Sequence, residues 1–172
     1  VEGEPGREAI SLWEGTRLDE SHRHHSHLGG IVPFDVIDPD DPDWRGIVNR
    51  SRDHWIYRGM GLWTGWCMPW ASMLHTRLGN PDMAELMLEI WQRVFTNEGH
   101  GTLHDYAFPG LSLMGATPRR REIMQMDAGL GAVAAIQSML LCESGGVHYL
   151  FRGAPPGWRE AAFGPMRTAG AF

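Results

Sequence analysis

Two apolar stripes of helical period lie almost end to end in this sequence. One runs through Trp70, Met73, Leu74 and Leu78, and the next through Met83, Leu86, Met87, Ile90, Trp91, Val94 and Phe95. Both follow the i, i+3, i+4 spacing of an amphipathic helix. Only Gly79-Asn80-Pro81 separates them: glycine stops the first helix, asparagine caps the second and proline fits its first position. Helices joined so tightly must run antiparallel, so the chain contains an αα-hairpin. A further helix is predicted from about Trp44 to Arg58, after the Asp38–Asp43 run of aspartates and prolines, and another over 129–141, rich in small residues and able to sit close to a second backbone. Between these helices lie longer segments, the glycine-rich 59–66 with two Trp and the irregular 97–122. A loop of that length in a compact domain is usually functional or mobile. Short turns on one rim and long loops on the other fit a mainly α chain, part of an α/α toroid. Val147–Phe151 and the tail 163–172 read as strands of a β appendage. The domain division expected is 1–144 helical and 145–172 the start of a β domain.

At 172 residues the chain is long enough for one domain with a real core. Its net charge of −6 argues against nucleic acid, which needs a basic face to displace counterions. No apolar run approaches the ~20 residues of a membrane span. Cys67 and Cys142 sit in apolar patterns read as helical and have no CxxC partner, so no metal knuckle or disulfide framework is indicated. No cofactor is assigned. Neither a signal peptide nor a starting Met is present, and the sequence reads as part of a longer protein.

The chemistry concentrates in His22-Arg23-His24-His25-Ser26-His27-Leu28. Such a cluster fits a metal site, a set of satisfied buried histidines, or a polar pocket for hydroxyl groups. If the segment is extended, His22 and His24 face one way and His25 and His27 the other, which splits any ligand set. The imidazoles also lack the helical i, i+4 pair and glutamate of metalloproteases. The pocket reading is favoured, and no metal is assigned. The second chemical place is Gln125-Met126-Asp127, where Asp127 stands at the start of a helix. It is either a cap or a carboxylate that activates water. Asp105 and Glu98 are weaker candidates for a second carboxylate. Trp63 and Trp66 either pack in the core or stack on a sugar face.

These segments resemble glycoside hydrolase family 95, the inverting 1,2-α-L-fucosidases and related enzymes. The family's HRHxSHLxGxxP stands here as His22 to Pro33. Its GTGW(S)xxW…xRLGD stands as Trp63 to Trp70 with Thr76 to Asn80. Its FQIDGNFGG stands as Met124 to Ala132, and its later HLLPALP as His148 to Pro155. The motifs occur in the family's order over roughly 20–172. The resemblance implies an (α/α)6 barrel, of which this chain would hold about the last half, and hydrolysis of a terminal α-linked L-fucose-like sugar with inversion. It implies Asp127 as general base and Arg23 and His24 as sugar contacts; His22, His27, Trp66 and Gln125 are expected to line the same pocket. The third motif departs from the family at Ala128-Gly129-Leu130, which removes an amide near the base. The family's general acid lies upstream of the match. The expected partners are therefore a glycan and the remaining N-terminal part of the polypeptide, with the parent secreted or periplasmic. The chain alone would be inactive and would self-associate through uncovered helix faces. A non-catalytic glycan-binding remnant, or a glycosidase for another sugar, are the alternatives.

Overall fold

A computed structural model of the chain describes residues 1–104 and 123–167. Among these, the chain is mainly helical, with α1 (Pro42–Arg58), α2 (Cys67–Arg77), α3 (Pro81–Val94) and α4 (Met126–Leu140) followed by a hairpin of β1 (Leu141–Ser144) and β2 (Val147–Leu150). Asp41 caps α1 by accepting from the Asp43 N–H at 2.8 Å, and Pro42 occupies the first position, so the helix begins two residues before Trp44. Gly59 ends it with a φ of 71°, a conformation that favours glycine. Asn80 caps α3, accepting from the Met83 N–H at 3.3 Å.

The expected helical hairpin is present: α2 and α3 pack together, and the Ser72 hydroxyl, buried between them, donates to the Ala84 carbonyl at 2.8 Å. Helix α4 also packs on α2, running parallel to it, and touches α3. At one end the residue before α2, Trp66, bonds the residue before α4, Gln125. At the other end Thr76 and Met139 flank the same residue, Gly153. A Cβ on Gly153 would lie 2.4 Å from the Thr76 hydroxyl oxygen, so only glycine fits there. The core runs from Leu28 and Ile31 through Trp55 and Trp63 to Met68, Leu74, Met87 and Phe95.

The C-terminal part differs from the reading of the sequence in three respects. Cys142 lies in β1, not in a helix, and the hairpin spans the expected 144/145 boundary, turning at Gly145-Gly146 with φ of 57° and 74°. Such a two-residue turn needs both residues at positive φ. Residues 163–167, expected to begin a strand, are irregular, and Phe163 packs on the Phe151 ring instead; 168–172 lie outside the described residues. The hairpin is held to the helical body by Asp40, which pairs with Arg152 at 2.6 Å and accepts from the Tyr149 hydroxyl at 3.0 Å. The Arg152 guanidinium lies over the Tyr149 ring, 4.2 Å from its centroid. Ser144 adds a hydrogen bond to Asp38 at 3.1 Å. The aspartates before α1 therefore cap the helix and also clasp the hairpin.

Candidate functional site

Three chain segments converge where α2 and α4 begin. Leu103 bridges Met124 in antiparallel fashion, and the Gln125 N–H donates to the Thr102 carbonyl at 2.8 Å. The Gly65 N–H donates to the His104 carbonyl at 3.0 Å. A Cβ on Gly65 would stand 1.9 Å from the Leu103 carbonyl oxygen, so this closeness requires glycine. The Gln125 side-chain oxygen then accepts from the Trp66 N–H at 2.9 Å. The Trp66 indole lies against α4, where a Cβ on Gly131 would come within 2.2 Å of the ring.

Asp127 occupies the second position of α4. The cap position belongs to Gln125, so Asp127 is not the capping residue. Its side chain is exposed, with no hydrogen bond or ion pair to any described residue. A carboxylate in a first helical turn is favoured by the helix dipole, and this one also stands open to water.

The histidine run joins the same place through Cys67, the residue after Trp66. The Cys67 thiol donates to the Arg23 carbonyl at 2.7 Å, and its carbonyl accepts from His25 Nε2 at 3.0 Å. The run separates His22 and His24 from His25 and His27, though it is not extended throughout. His22, Arg23 and His24 reach the surface, with the His22 and His24 rings edge to face at 5.5 Å. His25 and His27 are buried, and Ser26–Leu28 close into a single 3-10 turn. His24 titrates lower than usual because its ring is partly desolvated and Arg23 stands beside it.

His25 is a satisfied core histidine, boxed by the rings of Trp55, Trp63 and Trp70 with centroids at 4.5–5.3 Å. Burial pushes its pKa down to about 3. His27 falls to about 4, again through burial and then through the neighbouring His22 and His54, and neither of its ring nitrogens has a described partner. Among the described residues no group of three or more His, Cys, Asp or Glu is gathered closely enough to hold a metal ion.

Trp63 belongs to the core, stacked on Trp55 at 5.2 Å. Trp66 is half-buried and, with Trp70, Met73, Phe34 and Ser26, borders a hollow of about 270 Å³ with almost wholly apolar walls. The structure thus ties Gln125, the residue before α4, to Trp66, and Cys67 to the Arg23 carbonyl; of the residues expected to line one pocket, only Trp66 borders this hollow. Glu98 is exposed in the turn after α3, and Asp105 lies outside the described residues. Sequence reasoning did not single out Cys67 or His25 as parts of this arrangement. Both stand within segments it had marked, but their role is a long-range pairing.

The body is mainly helical, with an exposed carboxylate at Asp127 and an exposed Arg23–His24 pair. Residues 12–140 match the model described as the glycosyl hydrolase family 95 catalytic domain. The chain belongs to that family and is glycoside hydrolase catalytic-domain sequence. No curated protein matches it.

Proposed function

We propose that the chain is the C-terminal part of an (α/α)6 toroid that, complete, releases a terminal α-linked L-fucose-like sugar with inversion. In this reading α2 and α4 are inner helices and α3 is an outer one. The observation that carries it is the paired linkage at the helix ends: Gln125 to Trp66 on one side, Cys67 to Arg23 on the other. In this reading the linkage sets the exposed Asp127 and the His22–His24 surface on one rim.

Asp127 takes the proton from a water molecule that attacks the anomeric carbon from the face opposite the leaving oxygen. As the water oxygen bonds to that carbon, the glycosidic bond breaks, and an acid from the upstream part of the polypeptide protonates the departing oxygen. Arg23 and His24 donate to sugar hydroxyls, and His22 backs the His24 ring. Trp66 offers its ring at the border of the pocket, and Gln125 fixes Trp66 with its carbonyl while its amide N–H₂ remains available to substrate. His27, buried beneath the segment, takes part from behind it. The parent protein meets its glycan outside the cytoplasm, as a secreted or periplasmic enzyme.

The test is the configuration of the first-formed sugar. With the full-length polypeptide and an α-linked aryl fucoside, proton NMR in the first minutes shows the β anomer. An α product, or glycan binding without any sugar release, overturns the reading.

A further inference from the structure

Cys67 bonds the residues on both sides of His24. Its thiol donates to the Arg23 carbonyl, and its carbonyl accepts from His25 Nε2. The Trp55 indole N–H donates to His25 Nδ1 at 3.1 Å. A ring nitrogen that accepts carries no proton, so in neutral His25 the proton sits on Nε2, where the Cys67 carbonyl needs it. The thiol is seated in turn by the Thr64 N–H, which donates to Sγ at 3.1 Å. Burial pushes the Cys67 thiol up, so it keeps the proton it donates. Cys67 also follows Trp66, whose N–H is tied to Gln125 at the start of α4. Hydrogen bonds and one peptide link therefore run from Trp55, through His25 and Cys67, to the helix that carries Asp127.

We infer that Cys67 and His25 are positioning residues for the sugar-hydrolysing reaction. Together they fix Arg23 and His24 at a set distance from the first turn of α4. The inference rests on the reading of Arg23 and His24 as sugar contacts and of Asp127 as base. Both residues are fully buried, so neither can touch substrate directly.

A residue that only fills the core changes thermal stability and leaves the rate per folded molecule alone. A positioning residue changes kcat, because misplacement of about 1 Å costs roughly a hundredfold. The test compares Cys67→Ser and Cys67→Ala in the full-length polypeptide, well below the Tm of each, using an aryl glycoside that the wild type cleaves. Serine keeps a donor toward the Arg23 carbonyl, so Cys67→Ser should stay within about threefold of wild-type kcat, while Cys67→Ala should lose at least about tenfold. Trp55→Phe keeps a ring and removes the N–H that sets the His25 tautomer. It should also lower kcat, and it supplies the answer if Cys67→Ala does not fold. Wild-type kcat in Cys67→Ala or Trp55→Phe, or equal losses in the serine and alanine variants, overturns the inference while the glycosidase reading stands. Absence of turnover in the wild type overturns that reading and the positioning role with it.

Discussion

Three histidines, His25, His27 and His75, are carried into the protein interior as neutral rings. Burial lowers their pKa values to about 3, 4 and 4, against 6.5 for a free imidazole. Below pH 6.5 the unfolded chain takes up these protons and the folded chain does not. Stability therefore rises with pH across the window from about 4 to 6.5 and is lost as pH falls through it. Each group contributes up to about 1.4 kcal/mol per pH unit there. Unfolding free energies from urea titrations at pH 7.5 and pH 5 should show a drop of a few kcal/mol at the lower pH, with the midpoint falling accordingly, and substituting His75 by a neutral isostere such as Gln should make the slope shallower. Equal midpoints at the two pH values would mean that these rings are hydrated in solution. The sequence exposed part of this arrangement. Alternation along an extended segment separates His22 and His24 from His25 and His27, and the structure keeps that separation. The sequence could not tell which pair faces inward, because that depends on Trp55, Trp63 and Trp70, three distant residues that meet only in the fold.

At the scale of elements, the approach of α4 to α2 depends on small residues. Ala128, Gly131, Ala132 and Ala135 are the buried small residues of α4, and Trp66 and Pro69 press on Gly131. Alanine at 131 gains about 1 kcal/mol of helix propensity. Its Cβ would nevertheless lie 2.2 Å and 2.8 Å from Trp66 ring carbons, so the ring or the helix must move. Overpacking of this kind costs roughly 1–3 kcal/mol, so it outweighs the propensity gain. Gly131→Ala should lower the thermal midpoint and alter the near-ultraviolet tryptophan signal, whereas a raised midpoint would show that the interface is looser than described. The small residues of α4 were legible in the sequence, as were the Asn80 cap and the broad stripe of α3. Strand β1 was not. Leu140-Leu141-Cys142 continues a helical apolar pattern without a break, and what ends the helix is pairing with Val147–Leu150, together with the Asp40–Arg152 clasp more than a hundred residues apart.

For the molecule as a whole, the outward face of α4 is unfinished. Met126, Leu130 and Val133 are 64%, 69% and 55% exposed and Ile136 joins them, lining one side of a helix whose opposite side is fully packed. An apolar strip of this kind on a helix marks an interface. In the proposed toroid, preceding helices cover it. Produced alone, the 172-residue chain should therefore self-associate in light scattering, and Leu130→Glu with Val133→Glu should return it toward a monomer. A monodisperse monomer without those changes would count against the toroid. The α4 N-terminus carries the exposed Asp127, the base in the proposed reaction. General-base catalysis contributes typically 10²–10⁴-fold. The decisive measurement is kcat of Asp127→Asn in the full-length polypeptide, with circular dichroism and Tm as controls for folding. The account predicts a fall of about a hundredfold or more at unchanged Tm; turnover within a few-fold of wild type would contradict it.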